Sequence, residues 1–518
     1  VFNTVGIFLG MDQTPPLLPL PAHVHVFVVG AGFGGLGMAI KLAERGEHDF
    51  LVVEKGSEVG GTWRDNTYPG AACDVPSQLY SYSFAPNPSW SRSFSPQPEI
   101  QAYLRDVAAG SGVLDRFRFD ETFEDAAWDD SAQTWRITTS AGSLTADALV
   151  TASGGLSEPK MPDIDGIDSF RGEIFHSARW NHDADLTGKR VAVIGTGASS
   201  IQIVPEIVEQ VAHLDVYQRT APYVMPRRDR PYKAFERFGF KHLPGFQQLY
   251  RTAIYWGRET FVPAFVVNPK IAAPAKAAAL KNIGLGIKDP ELRKKLTPDY
   301  EIGCKRILIS NDYYPALGRE QTEVVTEPIT KITPDAIVTR DGAEREIDVL
   351  IVATGFFTTD QPIAAHITGR TGETLAGIWG REGMSAYKGT TVHGFPNLFQ
   401  IVGANTGLGH SSMVFIIESQ IAYILDALKT MQEQRLGAVE PRADAQRRWN
   451  DELQGRLKRT VWNTGGCSSW YLDEHGRNTT LWPRTTYRFR ALLSRFDQDN
   501  YMTTARGASA PTTREQYA

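Results

Sequence analysis

Cysteine is scarce in this 518-residue chain: Cys73, Cys304 and Cys467 lie far apart and form no CxxC. That spacing argues against a thiol redox pair, a zinc or other metal site and a disulfide framework, so the expectation is three unpaired thiols in a reducing cytoplasm. Long apolar runs are missing as well, none reaching the roughly 18 residues that a membrane span needs. Neither sign of charge dominates: 54 Lys and Arg stand against 59 Asp and Glu, a formal net charge of −5. Nothing in that balance draws the chain to nucleic acid or to anionic lipid, so basic residues that matter should matter locally. The opening stretch VFNTVGIFLG lacks the basic start and small-residue cleavage site of a signal peptide. The prolines that follow, Pro15, Pro16, Pro19 and Pro21, predict an extended arm over 1–21. The small, polar stretch at the other end predicts a disordered tail over 501–518. What is there, 42% hydrophobic and 22% charged residues, describes an ordinary globular chain with room for two or three cores.

Two glycine-rich turns carry the strongest signal. In HVHVFVVGAGFGGLGMAIKLAERG an apolar strand ends at Gly30, and Gly32 and Gly35 complete a GxGxxG spacing before a helix begins. The next strand ends at Glu54, with Lys55 beside it, about twenty residues beyond the glycines, where a carboxylate can accept hydrogen bonds from a ribose diol. The second unit, KRVAVIGTGASSIQIVPEIV, repeats the pattern with Gly195, Gly197, Ser199 and Ser200, a small hydroxyl replacing the third glycine. Its following strand ends in Gln218, Arg219 and Thr220 rather than in an acid. A 2′-phosphate would be repelled by a carboxylate and held by a guanidinium, so the first unit is expected to bind FAD and the second NADPH.

Two further apolar strands, DALVTASGG and DVLIVATGF, end in small-residue turns and carry the chain out of one nucleotide domain and back. The expected fold is α/β with two Rossmann-like domains, the FAD domain discontinuous and the NADPH domain holding a helical insertion. The expected division is 22–160 and 348–500 for FAD, the latter including a mobile loop, and 161–221 and 299–347 for NADPH. The insertion, over 222–298, would cap the substrate side.

The segment FRGEIFHSARW places Phe170, Gly172, His176 and Trp180 at fixed offsets just before the second turn. This resembles the FxGxxxHxxxW fingerprint of Baeyer–Villiger monooxygenases, and GGTWRDNTYPGAACD matches a second signature of that family through Gly60, Gly61, Trp63, Tyr68, Pro69, Gly70 and Asp74. Asn181 stands where the family usually has Pro or Asp. The resemblance runs from about Val24 to Arg490. It implies FAD and NADPH as cofactors, with Gly61, Thr62 and Trp63 at the flavin and His176 and Trp180 organising a linker rather than reacting. It also implies that a C4a-peroxyflavin attacks a ketone to give an ester or lactone, with sulfoxidation as a side activity. By the same resemblance YEIGCKRILISNDYYPAL carries the active-site arginine, Arg306, paired with Asp74, and Lys305 lies near the NADPH phosphate. Trp470, in GGCSSWYLDEHGRNTTLWP, would contact NADP from a loop that shuts out water. In the same way, the turn GANTGLGHSSM would aim a helix N-terminus at the flavin. A small-molecule ketone and O2 are then the expected partners, with no nucleic acid, membrane span or protein partner. The alternatives are an N- or S-hydroxylating flavin monooxygenase, which needs no Asp74–Arg306 pair, an NADPH-dependent flavin reductase or oxidase, and a flavin-binding protein without turnover.

Overall fold

The computed structural model describes residues 19–508. The expected arm over 1–21 and the last ten residues therefore lie mostly outside the described residues. An eight-stranded sheet forms the first body, in the order Ile367–Thr368, Phe123–Asp129, Thr134–Thr139, Gly142–Thr151, His23–Val29, Phe50–Val53, Phe117–Arg118, with Leu398–Gln400 also pairing to Gly142–Thr151. Its central strands are parallel and buried on both faces, which is why His23–Val29 and Phe50–Val53 read as nearly continuous apolar runs. Helices Phe33–Glu44 and Met413–Gln434 pack together on one face, with Leu36, Ala39, Ile40, Ile421 and Ile424 in a shared core.

The second body is a five-stranded parallel sheet in the order Thr322–Val325, His213–Tyr217, Arg190–Ile194, Val349–Val352, Glu173–His176. Between its strands His213–Tyr217 and Thr322–Val325 the chain makes the expected helices, chiefly Ala234–His242, Phe246–Glu259 and Ala273–Gly286.

Three expectations need correction. The strand Val349–Val352 sits inside the second sheet, paired on both sides, so the return to the first body does not begin at 348 but follows this strand. Tyr501–Ala505 is not disordered: it pairs antiparallel with Leu436–Pro441, and Tyr501 is buried. And the thiols are not all free, because Cys304 and Cys467 form a disulfide across 163 residues of sequence while Cys73 stays buried and unpaired.

Candidate active site

The first glycine turn is built by close approach. A Cβ on Gly35 would lie 1.7 Å from the Gly30 carbonyl oxygen, and Gly30 itself has φ +100°. Helix Phe33–Glu44 starts after Gly32 with no side chain capping its first amides, which leaves backbone donors for a pyrophosphate. Gly61, at φ +53°, faces Gly32 so closely that a Cβ on it would come within 3.1 Å of the Gly32 Cα. The short helix Thr62–Asp65 therefore begins against the turn, with Thr62 and Trp63 in its first positions. Glu54 is buried at the end of its strand, accepting from the Ala31 and Gly56 amides, each at 2.8 Å, and facing Arg64 at 2.8 Å. Lys55 pairs with Glu158 instead.

The second turn repeats the logic with Gly195 at φ +114°, where a Cβ would meet the Ala353 carbonyl at 2.4 Å, whereas nothing stands within 4 Å of a Cβ on Gly197. Ser199 precedes the helix Ser200–Ile207, and the Ser200 hydroxyl is buried without a hydrogen-bond partner among the described residues. Arg219 is exposed, Thr220 accepts a hydrogen bond from Thr196 at 3.1 Å through its carbonyl, and burial, followed by repulsion from the nearby Arg219, lowers the Lys305 pKa. Two neighbouring cations in no salt bridge among the described residues are a fitting seat for a doubly charged phosphate. Tyr68 and Gly70 tie the two bodies together: the Tyr68 hydroxyl donates to Gln202 at 3.0 Å, Gln202 donates to the Ala72 carbonyl at 2.9 Å, and a Cβ on Gly70 would strike the Gln202 carbonyl at 2.7 Å.

Where the bodies meet, Arg306 donates through Nε and Nη2 to both oxygens of Asp74 at 2.7 Å, a bidentate pair, and through Nη1 to the Leu408 carbonyl at 3.3 Å. Burial pushes the Asp74 carboxyl up, and the adjacent guanidinium overrides it, holding the acid below its ordinary value. Asp74 in turn raises the pKa of Arg306, so this cation has no proton to lose. Two arginines that sequence reasoning missed stand around the pair: Arg258 donates to the Asp74 carbonyl and Arg227 to the Cys73 carbonyl, each at 3.3 Å. Burial lowers the pKa of both. Helix Phe246–Glu259 thus turns Arg251, Arg258 and Glu259 inward, and nothing local in FQQLYRTAIYWGRE marks them as inward-facing. Tyr471, also missed, is buried within electrostatic reach of Arg306, its phenol pushed up to about 12 by burial.

The glycine-rich turn 403–412 leads into helix Met413–Gln434, whose N-cap Ser412 accepts from the Val414 amide at 3.3 Å. Just before it, Val402 is held at φ +66°, a conformation unfavourable for a β-branched residue, and its amide donates to the Gln420 side chain at 2.9 Å. The neighbouring Ile401 packs against Gly34 of the first turn, so this backbone is positioned by the flavin-type site.

The His–Trp segment is not a free linker. Glu173–His176 is the edge strand of the second sheet, and Gly172 is required because a Cβ there would lie 2.3 Å from the Asp348 carbonyl and 2.5 Å from the Phe170 ring. His176 is buried, accepts from the Ala178 amide at 3.1 Å and meets Phe356 edge-on at 5.7 Å. Burial lowers its pKa, so the ring is neutral at pH 7. Trp180 packs edge-on against Phe175 at 5.0 Å. In the C-terminal loop Trp470 is 48% exposed and touches Tyr471, ring centroids 4.5 Å apart. The disulfide ties this loop, three residues before Trp470, to the strand entry two residues before Arg306. Away from this centre, His213, Asp215 and Glu323 point donor atoms within 4.8 Å of one another, but Arg345 already holds Glu323 at 2.8 Å.

Residues 27–233 match the pyridine nucleotide-disulphide oxidoreductase family. The chain is 52% identical over 483 residues to a Baeyer–Villiger monooxygenase of Streptomyces coelicolor, covering 92% of each chain. It is 49% identical over 508 residues to one of Pseudomonas aeruginosa, covering 97% of this chain and 96% of that one. The crystal structure of OTEMO in complex with FAD and NADP superposes with a TM-score of 0.84 at 28% identity, over 93% of this chain and 99% of the other.

Proposed function

The chain belongs to the Baeyer–Villiger monooxygenases, FAD- and NADPH-dependent enzymes, and from that premise we propose that the Asp74–Arg306 pair is the centre at which a ketone becomes an ester or lactone. The observation that carries this reading is the bidentate contact itself, a permanent cation aimed by a carboxylate at the junction of the two nucleotide domains. FAD, reduced by NADPH, would supply the activated oxygen from O2. The protein's own task is to hold the negative charge that develops on the substrate oxygen, and a fixed guanidinium does so without reorganisation. Asp74 positions Arg306, and Arg227 and Arg258 anchor the backbone on which Asp74 stands. Gly30, Gly32, Gly35, Glu54, Gly61, Thr62 and Trp63 would hold FAD. Gly195, Gly197, Ser199, Ser200, Arg219, Thr220 and Lys305 would hold NADPH, and Trp470 would meet it when the loop closes. Phe170, Gly172, His176 and Trp180 shape the edge of the second sheet.

The expected reaction takes up one ketone, O2, NADPH and a proton and releases ester, NADP and water. A thioether is a second acceptor for the same oxygen. We place the enzyme in the cytoplasm, where NADPH is regenerated; no helix among the described residues is long and apolar enough to cross a membrane. Arg306→Ala should keep FAD reduction by NADPH while ester formation falls by a factor on the order of 10²–10³ or more. Ester formation at the wild-type rate in that variant would overturn the assignment.

A further inference from the structure

The helix Phe246–Glu259 carries apolar side chains on both faces: Phe246, Tyr250, Ile254 and Tyr255 pack against the core, and further ones are left uncovered on the outside. A surface helix normally buries its apolar stripe and shows charge to water. Here Arg251, Arg258 and Glu259 also face the protein, while the outward face is Gln248, Leu249, Thr252, Ala253, Trp256 and Gly257, with Leu249 69% and Trp256 53% exposed. Its neighbour Ala234–His242, packed to it through Phe240, Phe246 and Tyr250, presents Phe235 and Phe238 interleaved with Arg237 and Lys241. Ten of the sixteen large hydrophobic side chains exposed among the described residues fall between residues 235 and 285. Patches of this kind mark interaction surfaces.

Charge identifies the partner. The segment 222–298 carries fifteen Lys and Arg against five Asp and Glu, in a chain whose formal net charge is −5. Lys233, Arg237, Lys241 and Lys270 are exposed and make no salt bridge among the described residues. Past Tyr487, whose ring centroid lies 6.3 Å from that of Trp256, a cavity of about 940 Å³ is lined by Arg459 and Arg488, by Arg456 and Arg484 paired with Glu452, by Glu259 and by Val262 and Val266. Aromatic and aliphatic side chains flanked by unpaired cations are the composition of a helix lying in a membrane interface.

We propose that the face made by Ala234–His242 and Phe246–Glu259 docks on an anionic lipid bilayer, the apolar side chains entering the headgroup boundary and the lysines and arginines meeting lipid phosphates. The docked helix is then also a wall of the Asp74–Arg306 site, because Arg258 projects from its opposite face. The surface does not depend on the reaction assigned above.

The test is co-sedimentation of the FAD-loaded protein with vesicles of phosphatidylcholine containing phosphatidylglycerol, and with vesicles of phosphatidylcholine alone. Binding is expected to be at least tenfold stronger to the anionic vesicles and to weaken in high salt. Leu249→Ser with Trp256→Ser should abolish it, and Lys233→Glu with Arg237→Glu and Lys241→Glu should do the same, while both variants keep bound FAD and its reduction by NADPH. Wild-type protein that stays in the supernatant, or variants that sediment like it, would overturn the proposal. So would a dimer in analytical ultracentrifugation that the Leu249→Ser, Trp256→Ser variant dissociates, since a second copy would then cover this face.

Discussion

At the scale of single residues, Arg219 and His176 make separable predictions. Arg219 lies beside Lys305 at the end of the strand that follows the second glycine turn, where only a 2′-phosphate distinguishes NADPH from NADH. A charge-assisted hydrogen bond contributes about 1.5–3 kcal/mol, so Arg219→Ala should raise KM for NADPH by roughly ten- to a hundredfold and leave KM for NADH nearly unchanged. Equal effects on both cofactors would remove this residue from the phosphate site. His176 is a buried imidazole whose pKa is lowered by burial. In the unfolded chain it takes up a proton near pH 6.5, but in the folded chain only at lower pH. Folding stability from this group is therefore intact above pH 6.5 and declines as pH falls from there to the folded pKa. Melting temperatures at pH 7.5 and 5.5 should fall less steeply in His176→Asn than in the wild type, and an identical fall would show that His176 is solvated. Residues of this kind were legible because they sit in short-range patterns. Arg258 and Arg227 were not, since what they touch lies more than 150 residues away in sequence.

Among the elements, the C-terminal loop is the one whose behaviour the disulfide changes. Cysteine spacing pointed to free thiols, because a bridge closing 163 residues leaves no local mark; tertiary packing brings the two together, with the Glu301 amide donating to the Gly465 carbonyl at 2.9 Å and Gly465 so close to Cys304 that a Cβ would lie 2.7 Å from the cysteine Cβ. Closing so long a loop restricts the unfolded chain by about 5 kcal/mol at most in the chain-entropy picture. Thiol titration in denaturant without reductant should find one reactive thiol per chain, that of Cys73, and three after reduction; three at the outset would mean that the bridge does not form. If it does form, reduction should lower the melting temperature and weaken NADP binding together, because Cys467 anchors the loop bearing Trp470 beside the segment bearing Arg306. A reduced protein that melts and binds NADP as before would separate the bridge from the loop.

On the scale of the whole molecule, the two-sheet plan was readable because each Rossmann unit is a contiguous strand, turn and helix, with Gly30, Gly35 and Gly195 standing where a Cβ would strike backbone. Sheet membership of Val349–Val352 was not: a buried parallel strand looks alike in either body, and only pairing with both Arg190–Ile194 and Glu173–His176 assigns it. The edge strand of the fingerprint and the closing strand Tyr501–Ala505 were hidden for the same reason, since both gain their structure from partners far along the chain. The two bodies meet where Asp74, from the first, makes its bidentate contact with Arg306, which follows the insertion of the second. The central claim, that this junction transfers one atom of O2 to a ketone at the expense of NADPH, is tested most directly by turnover of a ketone under ¹⁸O2 with mass analysis of the product. One labelled oxygen in the ester, with NADPH consumed in equal amount, is the expected result. Unlabelled ketone recovered while NADPH is oxidised and hydrogen peroxide accumulates would contradict it.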